Sequence, residues 1–163
     1  MSDIDQRQFR DVLGQFPTGV TVVTGLAGER PVGLTIGSFT SVSLDPPLVA
    51  FLPTRDSATW VAMRDAGVFC ANVLAEDQDA LCWAFAKSGD DDRFGGLTWH
   101  AGTSGAPVID GCLAHIDCRI EDVHAAGDHD IVVGRVVELA VDDATRGPLL
   151  FHGGKLGGLH PLG

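Results

Sequence analysis

Apolar residues recur at helical spacing in three short stretches of the chain and at strand spacing through most of the rest. Phe9, Val12, Leu13 and Phe16 fall at i, i+3, i+4 and i+7, with Asp3 as a candidate N-cap and Pro17 as the stop, which predicts an amphipathic helix. Ser57 opens a second, through Trp60, Val61 and Arg64 to Ala66, ended by Gly67. Asp77 opens a third, with Leu81, Ala84 and Phe85 on one face up to Ser88-Gly89. Strand patterns cover Val20–Thr24, part of Val32–Ser38, Leu48–Leu52 and Val68–Leu74. From Cys112 to Glu121, Cys112, Ala114, Ile116, Cys118 and Ile120 alternate with Leu113, His115, Asp117, Arg119 and Glu121, predicting one apolar face and one mostly polar face. Ile131–Val141 is apolar on both faces apart from Arg135 and Glu138, so both sides should be covered. The pattern as a whole predicts a mainly β protein with a few short helices, an antiparallel barrel or sandwich, in one domain over residues 1–163.

Charge narrows the function. Eleven basic against 22 acidic side chains give a net charge of −11, and no Lys/Arg cluster forms, so nucleic acid is not an expected partner. No run is long and apolar enough to span a bilayer, and the acidic start Met1-Ser2-Asp3-Ile4-Asp5 lacks the order of a signal peptide. Cys70, Cys82, Cys112 and Cys118 have no CxxC spacing and sit in apolar segments, which predicts reduced, buried thiols in a cytoplasmic protein and no metal site. GxGxxG, P-loop, GxSxG and HExxH motifs are absent and tyrosine is missing, so a bound cofactor is expected to carry any chemistry.

Three segments could hold such a cofactor. In Gly33–Pro47, Thr35, Gly37, Ser38, Thr40, Ser41 and Ser43 interrupt what should be apolar strand. They read either as an edge strand facing water or as polar groups offered to the edge of a flat heterocycle. Around Thr54–Trp60, Ser57 is an N-cap; with Thr59 and Arg55 it could also meet a phosphate, although Asp56 opposes an anion. Gly127-Asp128-His129-Asp130 reads as a solvent-facing turn, or as a turn that sets His129 as a donor at a barrel mouth. His100, His115, His124 and His160 read as surface residues, whereas His152 follows the apolar Leu149-Leu150-Phe151 and stays open. The glycine-rich tail Gly153–Gly158 reads as flexible unless something docks on it.

Taken in order, these pieces resemble the short-chain NAD(P)H:flavin oxidoreductases, the reductase components of two-component flavin-dependent monooxygenases. The resemblance runs from Phe9 to about Lys155. It is carried by Phe16–Thr24, Gly33–Leu48 with Pro46-Pro47, Ser57-Ala58-Thr59-Trp60, Phe69–Leu74, Asp92-Arg93-Phe94, Gly127-Asp128-His129, Gly134-Arg135-Val136 and Pro148–Phe151. It implies an antiparallel split β-barrel (the FMN-binding split barrel) that is homodimeric, binds FAD or FMN, and takes NADH or NADPH as co-substrate. It further implies transfer of reduced flavin to a partner monooxygenase. Thr35, Ile36, Gly37, Ser38, Phe39, Thr40 and Ser41 are implied to lie along the isoalloxazine, Ser57, Ala58, Thr59 and Trp60 at the phosphate end, and Asn72 at a neighbouring flavin contact. His129 is implied to position the nicotinamide. The run Phe151-His152-Gly153-Gly154-Lys155-Leu156 departs from the family's aromatic and Arg-Gly pattern, so His152 or Lys155 becomes the candidate cation on the nicotinamide side. Two other readings share parts of these motifs: a flavin-binding electron carrier or storage module without nicotinamide turnover, and a pyridoxamine-phosphate-oxidase-like enzyme, which needs more Arg and Lys than this chain has.

Overall fold

The computed structural model describes residues 3–89 and 92–163; Met1 and Ser2, the first two residues of the acidic start, and Asp90 and Asp91 lie outside the described residues. In chain order the elements are α1 (Gln6–Leu13), β1 (Thr18–Gly19), β2 (Thr21–Ala27), β3 (Arg30–Ile36), β4 (Thr40–Ser43), β5 (Leu48–Phe51), α2 (Ala58–Arg64) and β6 (Val68–Val73). There follow α3 (Asp79–Ala86), β7 (Trp99–Ala101), β8 (Pro107–Ile109), β9 (Ala114–Ala126), β10 (His129–Val141), β11 (Leu149–His152) and β12 (Lys155–Gly158). The protein is mainly β, with antiparallel pairing throughout the printed ladders, as the residue pattern predicts.

Seven strands form the main sheet in the order β3-β2-β6-β9-β10-β5-β4, so β3 and β4 are its edges; β1-β11-β12 and β7-β8 form smaller sheets. One face of the main sheet holds a core of Val23, Phe51, Trp60, Met63, Phe69, Ala71, Cys118 and Val132, all at 0% exposure. Phe51 meets Trp60 and Phe69 edge to face, with ring centres 5.7 and 4.8 Å apart, and each such buried aromatic contributes on the order of 1.5–3 kcal/mol through burial. A second core of Val22, Leu74, Phe85, Phe94, Ile109 and Leu149 seats α3 and the loop after it. Among the described residues, no helix is long and apolar enough to cross a membrane.

Several expectations need correction. The first helix starts three residues before Phe9, capped by Asp5 rather than Asp3: Arg7 N–H donates to Asp5 Oδ1 at 3.1 Å, and Phe16 falls beyond its end. Its stripe is not buried within one chain, with Phe9, Val12 and Leu13 more than half exposed. Gln78, not Asp77, occupies the cap position of α3, while Asp77 accepts from Arg146 Nη1 at 2.8 Å. Part of the polar face of β9 is inward: the hairpin β7-β8 covers Asp117, at 0% exposure, and His115 is at 7%, whereas Arg119 and Glu121 are exposed. Ser104 donates from N and Oγ to Asp117 at 2.7 and 2.5 Å, and Asp142 lies 2.7 Å from His115 Nδ1, while His115 Nε2 is buried without a hydrogen-bond partner. His100 and His124 are exposed as expected, although both lie in strands. In β10, Leu139 and Val141 are exposed, because β5 pairs only with Val132–Arg135 and leaves the far end of the strand without a second neighbour. The glycine tail is ordered as a hairpin whose Gly153 and Gly154 take φ of +57° and +78°, the positive values that a two-residue turn between twisted strands requires.

All four cysteines are unpaired and buried. Burial, then the Asp117 charge, pushes the Cys118 thiol up to about 12; burial likewise raises Cys112 to about 11 and raises Cys70 and Cys82. Thiolate is the reactive form. At pH 8 the folded protein should therefore leave an aromatic disulfide reagent nearly unreacted over minutes, while all four thiols should titrate in denaturant. Rapid native release of the chromophore would contradict this arrangement.

Candidate functional site

A cleft of about 1260 Å³ opens along the β3 edge of the main sheet. Its floor is Arg30–Thr35, one wall runs from Thr54 to Ala62, and the other comprises the end of α3, the following loop and Trp99. As an edge strand, β3 keeps one row of backbone N–H and C=O groups free of a strand partner. Such a row suits the alternating donors and acceptors of a heterocycle's polar edge.

Both walls are tied down by contacts that their residue types dictate. Ser57 caps α2, its Oγ accepting from Trp60 N–H at 3.3 Å. The segment ahead of it is stitched to the β9-β10 turn: Arg55 N–H donates to Asp128 O at 2.9 Å and Asp130 N–H to Pro53 O at 3.0 Å. Asp130, 4% exposed, accepts from the Trp60 indole at 2.9 Å and faces Arg55 Nε at 3.4 Å. A buried carboxylate held by an indole N–H and a guanidinium is compensated on two sides. It fixes Thr54–Thr59 relative to His129. On the opposite wall, Arg93 gathers carbonyls: Nη1 donates to Gly33 O at 3.2 Å, and Nη2 donates to Gly89 O at 3.0 Å and to Lys87 O. Asp92 Oδ1 accepts from Phe94 and Gly95 N–H at 3.1 and 3.0 Å. Asp92-Arg93-Phe94 thus acts as a loop clasp for the cleft. Gly33 is required for the same closeness, since a Cβ there would stand 2.9 Å from Phe85 Cε1.

The structure brings together Thr35, Ser57, Ala58 and Thr59 on this cleft. The remaining predicted residues are distributed differently. Thr35 Oγ1 donates to Cys82 O at 2.6 Å, and Ile36 at 6% exposure points into the core. Gly37 lies against Thr18, whose Oγ1 is buried without a partner and would sit 3.2 Å from an added Cβ. Ser38 Oγ exchanges hydrogen bonds with Leu52 N and O at 3.0 and 3.3 Å. Phe39 packs on the first core and lines a separate cavity of about 150 Å³ with Val20, Val73 and Leu149. Thr40 and Ser41 are exposed on β4. Trp60 is wholly buried, so only its backbone belongs to the α2 entrance.

Asn72 stands apart from the cleft at 0% exposure. Its Nδ2 donates to Val22 O at 2.9 Å and Thr24 Oγ1 at 3.0 Å, and its Oδ1 accepts from Ile109 N–H at 2.8 Å. All of these partners are internal, which makes Asn72 a tie between β2, β6 and β8 rather than a surface open to a ligand. His129 begins β10 across from Thr54, partly exposed, with Nδ1 2.7 Å from Asp128 Oδ1. That contact holds the Asp128 carboxyl below its usual range and leaves Nε2 as the ring nitrogen available to a ligand. His152 and Lys155 pair across the exposed β11-β12 hairpin and do not line the cleft. Among the described residues, no group of three or more His, Cys, Asp or Glu could hold a metal ion. Residue-by-residue reading missed Arg30, Lys87 and Trp99 as cleft residues, since isolated cations and an unpatterned aromatic give no periodic signal.

The residues present fit a flavin. Thr35, Thr54, Ser57 and Thr59 line the cleft beside an edge strand, with the Thr35 and Ser57 hydroxyls also bonded within the protein, whereas the orphaned Thr18 hydroxyl beside Gly37 lies outside the lining. Comparison with known proteins agrees. Residues 13–160 match the flavin reductase like domain. The chain is 48% identical over 158 residues to the flavin-dependent monooxygenase reductase subunit HsaB of Rhodococcus jostii, covering 97% of this chain and 80% of that protein. It is 49% identical over 154 residues to a flavin reductase of Pseudomonas putida, covering 94% and 90% of the two chains. The solved structure of the NADH:FAD oxidoreductase SgcE6 of Streptomyces globisporus superposes with a TM-score of 0.90 at 38% identity, covering 99% of this chain and 98% of that one.

Proposed function

The chain belongs to the flavin reductase-like family, and from that premise and the cleft we propose that it is an NAD(P)H:flavin oxidoreductase supplying reduced flavin to a partner monooxygenase. The observation that carries the reading is the convergence of Thr35 from β3 with Ser57 and Thr59 from the entrance of α2 on one cleft beside an open strand edge. Ser57, Ala58 and Thr59 would hold the flavin's phosphate end by hydroxyl and backbone contacts, and the β3 edge up to Thr35, the one residue of the Thr35–Ser41 segment that lines the cleft, its ring. His129 would position the nicotinamide through Nε2. A flavin bound there supplies a two-electron acceptor for the nicotinamide's hydride. The protein's own task is placement: no side chain has to move a proton, and holding two reactants in register is worth up to roughly 7–11 kcal/mol of barrier. The relatives' names support NADH as the donor.

The same reading takes the whole chain, 1–163, as one domain that pairs with a second copy as a split-barrel homodimer. Its support is the apolar surface left uncovered in one chain: Phe9, Val12 and Leu13 on α1, and Leu139 and Val141 at the end of β10. Four unpaired thiols fit a cytoplasmic setting. Three measurements test the proposal. Purified protein should oxidise NADH only when FMN or FAD is added, and absence of turnover with both flavins would overturn it. His129→Ala should raise KM for NADH roughly 2- to 10-fold, the worth of one lost hydrogen bond, with flavin affinity unchanged; a flavin carrier would be indifferent to that change. Sedimentation equilibrium should give twice the chain mass, and a monomer at micromolar concentration would refute the pairing.

A further inference from the structure

We propose that Asp56 sets how loosely the cleft holds a flavin's phosphate, and that Asp130 assists by withdrawing the one cation of the same segment; this rests on the reading of the cleft as a flavin site with its phosphate end at Ser57–Thr59. The wall from Thr54 to Ala62 presents Thr54, Ser57 and Thr59, but only one charge lies among its lining residues, and that charge is negative. Asp56 is exposed, lines the cleft directly before Ser57, and makes no hydrogen bond or ion pair among the described residues. A carboxylate engaged by no neighbour acts with its full charge on whatever enters the space beside it.

Arg55 is the cation that could offset it, and the fold takes Arg55 away. Its neighbours Thr54 and Asp56 line the cleft, whereas Arg55 does not. Its backbone N–H is held by Asp128 O at 2.9 Å, and its Nε faces Asp130 Oδ1 at 3.4 Å. Asp130 is itself 4% exposed and fixed by the Trp60 indole at 2.9 Å, so it is a stationary partner for the guanidinium. The pair cancels charge behind the wall and leaves Asp56 uncompensated in front. The cations that do line the cleft, Arg30, Lys87 and Arg93, belong to its floor and its opposite wall. A phosphate monoester carries about −1.5 to −2 charges near pH 7, so at this wall it meets hydroxyls together with repulsion. The arrangement suits a flavin that has to leave once reduced: the neutral ring supplies the binding, and the charged end adds little to it.

Equilibrium binding of FMN and riboflavin, read by flavin fluorescence, tests the proposal, because the two ligands differ only in the phosphate. Asp56→Asn should bind FMN about fivefold more tightly than wild type at 0.01 M salt, with riboflavin unchanged within about 1.5-fold. Asp56→Ala, which adds no donor, should match it. Raising the salt to 1 M shortens the Debye length from about 30 Å to about 3 Å and should bring the FMN affinities of variant and wild type together. Comparing the two proteins at each salt concentration cancels the repulsion that the rest of this acidic chain exerts on FMN. Arg55→Ala alone should leave FMN affinity within about twofold, as for a cation already spent on an ion pair. Asp130→Asn, whose amide oxygen can still accept from the indole, should tighten FMN and lose that gain when Arg55→Ala is added. Asp56 is exposed, so its variants decide the matter even where Asp130→Asn does not fold. Equal tightening of both flavins, no tightening of FMN, or a gain that persists at 1 M salt would overturn the proposal. If wild type binds neither flavin, the flavin reading itself fails; if it binds both and Asp56→Asn changes nothing, only the role of Asp56 falls.

Discussion

Replacing Gly134 with alanine is expected to destabilise the protein by about 3 kcal/mol, at the upper end of what overpacking a rigid core costs. The reason is local and geometric. A Cβ on Gly134 would stand 2.4 Å from Phe69 Cζ and 2.6 Å from Phe69 Cε1, with Cys118 Cβ at 3.1 Å on the other side. Phe69 has nowhere to retreat: it is wholly buried and already in edge-to-face contact with Phe51. The backbone cannot yield either, because Gly134 is paired with Val49 of β5 and Ile120 of β9 at a register shift. For a chain of this size the loss corresponds to a fall in Tm of about 6–12 °C. Phe69→Leu would cost stability alone by leaving a cavity, yet in the double variant it should relieve much of the Gly134→Ala penalty. A double-mutant cycle by chemical denaturation measures that coupling. Simple additivity of the two losses would show that the contact is not what makes glycine necessary.

Much of this arrangement is legible in the sequence because it follows from short-range rules. Ser57 reads as a cap and is one; Thr35 reads as a hydroxyl interrupting an apolar strand, and it reaches the cleft because β3 is an edge. What escapes is decided by distant segments. His115 and Asp117 look solvated on strand alternation alone, and only the docking of β7-β8 on that face buries them. Phe9, Val12 and Leu13 form a regular helical stripe, yet they are exposed, since periodicity reports that a face is apolar and not what packs on it. The Gly153-Gly154 pair suggests freedom in isolation but becomes a tight turn once Leu149–His152 supplies a partner strand. Trp99 is invisible as a site residue because one aromatic carries no period; its meaning comes from Phe94 behind it and the cleft in front.

Asn72 shows the same ambiguity most sharply, since a polar residue inside a strand looks alike whether it meets a ligand or the protein. Asn72→Ala should cost about 3 kcal/mol, combining a small cavity with an Ile109 N–H left buried and unpaired. FMN affinity per folded molecule should not change, because no atom of Asn72 reaches the cleft. A flavin contact would give the opposite split, with affinity lost and stability kept. Asn72→Asp sharpens the test. Its carboxyl can still accept from Ile109, but the donors to Val22 O and Thr24 Oγ1 are gone, and an ionised group would be fully desolvated. Burial raises a carboxyl's pKa in the folded state above its unfolded value of about 3.9. The folded variant then holds more protons than the unfolded chain, so its stability falls as pH rises from the unfolded pKa through the folded one. Measured against Asn72→Ala at each pH, which cancels the titration of every other group, Asn72→Asp should be the less stable of the two at pH 7 and should close the gap towards pH 5. A constant difference between the variants across that window would mean that the side chain at this position reaches water, and the buried tie between β2, β6 and β8 would have to be abandoned.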